Sequence, residues 1–390
     1  MSSPLSSVIL ISTAEFTLKS HPVRHQLVRL LKRHIRFDLK RIGLENCEIK
    51  LAGGFLVVHK VKDAESVAKD LARILGVAHA DACERVSSDL DEILQCAATL
   101  AERTIKHGET FAVRAHNFEP SHLNSKEIEI RAGAEILSRL PSGAKVSLGN
   151  PDHVFRVFFG GKEAYILGRR FNGPGGLPVG SQGKLLGLAT DPAYSPLSFY
   201  LLMKRGAMIS PVIPNIRPLL GETQPEVILE GLRMLRPFVP KKTFQAHLIE
   251  IDESASKILD SVDQQLQRVF SIRLVFRAIA HLAQAGRALG LVTGDSFGRN
   301  GLETFKELRV VDEVASFPVY RPLLALDEDS VNQQLGQLGL LHLATNRRAR
   351  QVTTTGLSDD SITSLRVLEQ CVQAQELAQR IAANSVRILV

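Results

Sequence analysis

The sequence predicts an α/β protein of several domains, and three observations carry that reading. From Lys184 onward, short apolar runs alternate with helix-length segments, the pattern of a doubly wound parallel sheet with helices on both faces. The first 75 residues read as strand, helix, two strands and helix, a small split sheet with its helices on one face. Between the amino-terminal half and the parallel sheet lies Phe171–Gly183, FNGPGGLPVGSQG, whose glycines and prolines mark a connector.

Taken in order, VILIS at Val8–Ser12 is a strand and His21–Ile42 a helix, with Ser20 placed to cap it and Pro22 in its first turn. Val23, Leu27, Leu30, Leu31 and Leu39 form an apolar stripe, while Arg24, Arg29, Lys32, Arg33, Arg36, Lys40 and Arg41 occupy the other faces. Strands Glu48–Ala52 and Phe55–Val61 flank the hairpin signal Gly53-Gly54, and Asp63–Leu75 is a second helix. A new module begins near Gly76 with a strand at Val77–Val86. Its helix Asp89–Lys106 carries Asp89 and Glu92 in capping-box spacing, and strand Thr110–His116, helix Ser125–Leu140 and strands at Lys145–Leu148, His153–Phe159 and Glu163–Gly168 follow. The expected domains are therefore 1–75, 76–170, a linker at 171–183, and 184–390.

The last domain opens with a buried strand (Lys184–Ala189), a polar loop (Thr190–Ser195), an apolar helix (Pro196–Arg205) and a second strand (Met208–Ile213). Helix Pro225–Phe238, strand Gln245–Ile251, a long helical stretch Ser254–Ala288, strand Leu291–Thr293, helix Glu303–Val314, strand Val319–Leu326, helix Glu328–Gly339 and a terminal helix Ser361–Ala383 complete it. In such sheets ligands bind beyond the carboxyl ends of the strands, so the loops after Ala189 and Thr293 are where chemistry is expected.

Composition narrows the function classes. No apolar run approaches the roughly 18 residues a membrane span requires, and the amino terminus lacks a signal-peptide pattern, so a soluble cytoplasmic protein is expected. Cys47, Cys83, Cys96 and Cys371 are widely spaced and never in a C-x-x-C pair, which argues against a disulfide framework or a zinc site. The formal charge is +7, and residues 1–60 hold ten Lys/Arg against four acids, which points to a polyanionic partner. His21 and His25 stand i, i+4 without a third ligand, and Asp191, Asp295 and Glu303 could gather at the strand ends, but nothing selects a metal, and none is expected.

GKLLGLATDPAYSPLSFYLLMKRG (Gly183–Gly206) resembles the loop and helix of the tRNA 4-thiouridine synthetases, or tRNA sulfurtransferases, whose pattern is Ser-Gly-Gly-x-Asp-Ser-Pro. FAVRAHNFEP (Phe111–Pro120) and VSLGNPDHVFRVFFGGKEAYILGRR (Val146–Arg170) are similar to the RNA-binding THUMP domain, and EFTLKSHPVR (Glu15–Arg24) to the ferredoxin-like domain that precedes it. The resemblance implies a ferredoxin-like domain, a THUMP domain and a PP-loop (adenine nucleotide alpha hydrolase-like) domain. It also implies a grip on the acceptor end of tRNA, with ATP and Mg as cofactors of an active member. A homodimer is plausible on that ground alone.

The family's loop slots hold Thr190, Asp191, Pro192, Ala193, Tyr194 and Ser195 here. Both glycines are replaced, by a residue that sets a carboxylate against phosphate and by one with no N–H, and the family's acid has become Tyr194. In the second loop Thr293, Gly294, Asp295, Gly298, Thr304, Arg321 and Pro322 match the family, with Thr293, Gly294, Asp295 and Arg321 as residual nucleotide-site positions, whereas Arg299, Asn300, Gly301, Leu302, Glu303 and Glu307 depart from it. The family's persulfide cysteine has no counterpart in Leu341–Gly356, which instead carries Arg347, Arg348 and Arg350 as further candidate phosphate contacts. Cys371 reads as a small buried hydrophobe. The expectation is a tRNA-binding protein that has lost the ATP-pyrophosphatase and sulfur-transfer activities and either presents tRNA to a separate sulfurtransferase or tRNA-modifying enzyme or acts as a chaperone. The alternative is an active ATP-dependent tRNA sulfurtransferase making 4-thiouridine. Candidate RNA contacts are Lys19, Arg24, Lys32 and Arg36 from the first module and Arg114, His116, Lys126, Arg131 and Arg169 from the second.

Overall fold

A computed structural model describes residues 6–16, 19–140, 143–221, 223–297, 304–345 and 357–390. It divides into two compact units, Met1–Leu177 and Pro178–Val390.

The first unit contains β1 (Ser6–Thr13), α1 (His21–Arg41), β2 (Glu48–Ala52), β3 (Phe55–His59), α2 (Ala64–Leu71), β4 (Val77–Ser87), α3 (Leu90–Thr104), β5 (Thr110–Asn117), α4 (Ser125–Arg139), β6 (Lys145–Val146), β7 (His153–Gly160) and β8 (Glu163–Asn172). Its strands form one eight-stranded sheet in the order β2-β3-β1-β4-β8-β7-β5-β6. The pivot is β4, which pairs antiparallel with β1 from Ser6↔Arg85 and with β8 up to Ser87↔Glu163. The split sheet read from the first 75 residues therefore does not stop there but continues through β4 into the next module. Strand β8 likewise runs on to Asn172, inside the stretch read as linker, because Phe171 and Asn172 pair with Ala80 and His79.

Side-chain alternation assigns the sheet's faces. Ile9, Ile11, Leu56, Val58, Ala80 and Ala82 pack under α1 and α2, and Phe111, Val113, Phe155, Val157, Ala164 and Ile166 pack under α3 and α4. Val8, Leu10, Val57, Cys83, Tyr165 and Leu167 form a separate cluster on the other face. On α1 the buried residues are Leu27, Leu31, His34, Ile35, Asp38 and Leu39, whereas Val23, expected in the stripe, is 41% exposed in the first turn. Ser20 makes no side-chain cap bond. Burial, reinforced by the Arg33 charge, pushes the His34 imidazole down to about 4, so His34 is neutral at neutral pH.

The second unit contains β9 (Lys184–Leu188), α5 (Tyr194–Lys204), β10 (Met208–Asn215), α6 (Arg217–Leu220), α7 (Pro225–Arg233), β11 (Gln245–Glu250), α8 (Glu253–Ser261), α9 (Gln264–Gly286), β12 (Leu291–Thr293), α10 (Phe305–Asp312), β13 (Val319–Tyr320), α11 (Glu328–Leu338), α12 (Leu341–Thr345), α13 (Asp359–Cys371), α14 (Ala374–Ala383) and β14 (Val386–Leu389). The sheet runs β13-β12-β9-β10-β11-β14 and is parallel except for β14, which returns antiparallel to β11. Leu186 and Leu188 join the core that includes α9. Gly187, between them, lies under Phe199 of α5, where a Cβ would come within 2.6 Å of the ring. Helices thus cover both faces. Among the described residues no helix is long and apolar enough to cross a membrane.

The second unit departs from the sequence reading at several points: α6 and α12 are not among the expected elements, and the helix expected over Pro225–Phe238 ends at Arg233, with a 3₁₀ turn at Arg236–Phe238. The stretch 254–288 is two helices, because Asp263 caps α9 through Gln265 N–H. The strand expected over Val319–Leu326 ends at Tyr320, since Pro322 has no N–H for the ladder, and a 3₁₀ turn over Pro322–Ala325 follows. The terminal helix breaks at Gln373, which is left-handed at φ 49°. Strand β14 has no signal in the sequence: only four residues long and mostly exposed, it shows no alternation to read.

An ionic cluster ties α13 to α9. Arg273, 3% exposed, sends Nε and a terminal nitrogen to the two Glu369 oxygens at 2.7 Å each, and Arg277 adds two bonds at 2.8 Å. Burial alone would raise the Glu369 pKa, but the hydrogen bonds from Arg273 and Arg277 bring it below the ordinary value. The stability it confers is present above the unfolded carboxyl pKa of about 4.3 and is lost as pH falls through the depressed folded value. Replacing Glu369→Gln takes the counter-charge from Arg277 and leaves the buried Arg273 with Glu313 alone, at 3.2 Å, and should cost about 3–5 kcal/mol in urea unfolding at pH 7. A cost below about 1 kcal/mol would show that the cluster does not hold the terminal helices.

Candidate functional site

Strands β9 and β12 are neighbours, with Thr293 opposite Leu188, so the two loops singled out by sequence emerge side by side at the carboxyl end of the sheet. The first loop is closed on itself. The Asp191 Oδ1 accepts the backbone N–H groups of Ala193 and Tyr194, each at 2.8 Å. The Ser195 Oγ accepts those of Thr190 at 3.2 Å and Asp191 at 3.1 Å. Pro192 has no N–H, so four donors around the head of α5 are engaged by two side chains of the loop itself. This is the place where a loop-to-helix junction ordinarily gathers N–H groups for an anion.

The loop is also fixed from behind. A Cβ on Gly231 of α7 would collide with the Pro192 carbonyl oxygen, so only glycine permits this approach. Tyr194 is 2% exposed and lies with Ala193, Leu197, Leu323, Val331 and Leu335 in a hydrophobic cluster reaching α11 and α12. At the slot where the related loop carries an acid, this chain has a core side chain.

The second loop packs on the first. A Cβ on Gly294 would come within 2.7 Å of Ser195 N, and the Ser198 Oγ donates to the Thr293 carbonyl at 2.5 Å. Thr293 Oγ1 and Arg321 Nε both donate to Asp295 Oδ2, at 2.7 and 2.8 Å. The other two Arg321 nitrogens form a fork on Asp312 at 2.7 and 2.9 Å. Burial works against the Arg321 charge, but the hydrogen bonds and charges of Asp312 and Asp295 more than offset it and raise its pKa. The residual nucleotide-site positions Thr293, Gly294, Asp295 and Arg321 are thus brought together, spent largely on one another. Glu307 is 3% exposed and closes a capping box with Thr304. Residues 299–303 and Arg347, Arg348 and Arg350 lie outside the described residues. Cys371, expected to be buried, is exposed at the end of α13. Sequence reading missed Gly231 and Ser198, whose partners Pro192 and Thr293 are remote along the chain, and Asp312, whose partner Arg321 lies across the turn between α10 and β13.

Among the described residues no group of three potential metal ligands is found. The His21 and His25 rings stand 4.6 Å apart. Asp191 is committed to backbone N–H groups and Asp295 to Arg321, and Glu303 is outside the described residues.

The basic residues divide by location. Lys19 lies before α1 and Arg24, Lys32 and Arg36 along it, and none forms an ion pair with a described residue. On β5, Arg114 donates to the Leu148 carbonyl at 2.6 Å and the His116 ring meets Phe158 edge-on at 5.5 Å. Val113 faces α3 and α4, so Arg114 and His116 look to the opposite side of the sheet. Lys126 pairs with Glu129 and Arg131 with Glu127 on α4, whereas Arg169 pairs with Glu65 on α2 and stacks 5.2 Å from Phe171. The second group therefore does not form one surface. These pairs are exposed and weak, about 0–1 kcal/mol each, so the cations remain exchangeable. Arg170, not singled out from sequence, forks onto the fully buried Asp81 at 2.7 and 3.1 Å.

Family models match in three consecutive stretches: a ThiI ferredoxin-like domain over residues 8–80, a THUMP domain over 87–167, and Thiamine biosynthesis protein (ThiI) over 180–374. A probable tRNA sulfurtransferase of Methanocaldococcus jannaschii is 26% identical over 351 residues, 88% of this chain and 90% of that one. A tRNA sulfurtransferase of Thermoplasma volcanium is 28% identical over 85% of this chain and 67% of its own length. A solved structure described as a 4-thiouridine synthetase–RNA complex with bound ATP superposes with a TM-score of 0.83 at 22% identity, covering 99% of this chain and all of that one, and so shares the fold. PH1313 from Pyrococcus horikoshii gives 0.66 at 23% identity, covering 86% of this chain and all of that one. With a ferredoxin-like and a THUMP domain ahead of a ThiI match that spans half its length, the chain belongs to the ThiI family.

Proposed function

We propose that this chain is a tRNA-binding protein that handles tRNA during its modification and has lost the ATP-pyrophosphatase and sulfur-transfer activities. The observation that carries this reading is the closed loop after β9, where Asp191 and Ser195 take the N–H groups of Thr190, Asp191, Ala193 and Tyr194. A triphosphate does not fit that arrangement. It would have to displace a carboxylate already satisfied by two donors, and it would meet like charge at close range. The burial of Tyr194 and the commitment of Glu307 to a cap support the same reading. The relatives' names, tRNA sulfurtransferases, support a role in tRNA modification. For RNA binding the support is the basic face of α1 together with the THUMP match, and the structure that shares this fold was solved with RNA.

One observation favours the alternative, an active ATP-dependent tRNA sulfurtransferase: Thr293, Gly294, Asp295 and Arg321 keep an ordered arrangement beside the loop. Calorimetry separates the two. Titration with Mg-ATP, with and without bulk tRNA, should give no saturable heat, while tRNA alone should bind saturably. Saturable ATP binding would contradict the loss of the nucleotide site and favour the active enzyme. Reversing Lys32→Glu and Arg36→Glu should weaken tRNA binding and reduce the slope of log affinity against log salt by about one for every phosphate the variant no longer neutralises. Unchanged affinity would remove α1 from the RNA surface.

A further inference from the structure

A cavity of about 220 Å³ lies at the opposite end of the second sheet, where β9, β10 and β11 begin. Its lining includes Lys184 at the start of β9, Lys241 in the loop before β11, His247 within β11 and Arg387 of β14. His247 and Arg387 are direct antiparallel partners, so their side chains share one face. No carboxylate is among the lining residues. None of the three cations forms an ion pair with a described residue, in contrast to Arg273 and Arg321, each held by two acids. The His247 Nδ1 is buried without a hydrogen-bond partner, a vacancy that native structures rarely leave unexplained. The remaining wall is largely apolar, from Met203, Met208, Ile209, Val239 and Phe244.

The three like charges around one cavity repel one another and disfavour a charge on the histidine among them. Burial first, and then the Lys241 and Arg387 charges, lower the Lys184 pKa; burial, and then Arg387 and Lys184, lower that of His247. A bound anion would relieve that repulsion and, in the tautomer that carries its proton on Nδ1, accept a hydrogen bond from His247. Lysine is a compact point charge suited to phosphate, arginine donates in a fork, and the apolar wall accommodates an attached organic group.

We propose that this cavity binds a phosphate group through Lys184, Lys241, Arg387 and His247. It is distinct from the loop after β9, and the proposal stands whether or not that loop takes a nucleotide. The phosphate could belong to a small phosphate compound or to the 5′ end of an RNA, and the test separates the sources.

Inorganic phosphate is titrated into the full chain by calorimetry, with the melting temperature followed in parallel. Saturable binding and a rise in melting temperature are expected, both weakened about tenfold or more in affinity by Lys184→Met or Arg387→Gln. Lys241→Gln, on an exposed loop, serves as the variant least able to disturb folding. Two RNA hairpins that differ only in a 5′-phosphate or a 5′-hydroxyl are then compared. Tighter, variant-sensitive binding of the phosphorylated hairpin assigns the site to RNA ends. Equal hairpin binding with variant-sensitive inorganic phosphate assigns it to a small compound. No variant-sensitive response to either probe overturns the proposal.

Discussion

The carboxylate of Asp191 governs the carboxyl end of the second sheet. By accepting two N–H groups at the head of α5 it satisfies donors that a helix start would otherwise offer to solvent or to an anion. Ser195 completes the closure, Gly231 lets α7 press on Pro192, and Gly294 lets the neighbouring loop descend onto Ser195. Each feature depends on the loop keeping this shape. The polar groups that remain nearby are drawn inward too, Arg321 to Asp295 and Asp312 and Glu307 to Thr304. The described parts of the loops after β9 and β12 thus spend these polar groups on one another.

The fold is legible in the sequence where its signals are strong and local. The apolar strand Lys184–Leu188, the polar loop after it and the apolar helix can be read directly, and so can the hairpin at Gly53-Gly54. The two-sided role of β4 cannot, because pairing partners as distant as Thr13 from Val77 and Asn172 from His79 leave no local trace. Short edge strands such as β13 and β14 are similarly silent. At the site, the replacement of the glycines is plain from residue types alone. Where Asp191 points is not, since a carboxylate at that position can face a ligand or fold back onto its own backbone, and only the structure distinguishes them.

Charge follows the same division. The excess of cations in the first 60 residues is plain, but only the fold separates Arg24, Lys32 and Arg36 on α1, which form no ion pair among the described residues, from Lys40 and Arg41 at its end and the cations on α4, which do, and separates Arg114 and His116 on the far face of the sheet from both. The set of cations around His247 is assembled from β9, β11, β14 and a loop, more than 200 residues apart from first to last. Spacing could not have revealed it.

The central claim is that Asp191 serves the protein's own backbone. The most direct measurement is the unfolding free energy of Asp191→Ala beside Asp191→Asn. Alanine should lower stability by about 1–2 kcal/mol, as for a missing helix-start acceptor, and asparagine should retain most of it. Unchanged or increased stability on replacement by alanine would contradict the account, since that is the behaviour of a residue held in place for a ligand at a cost to the fold.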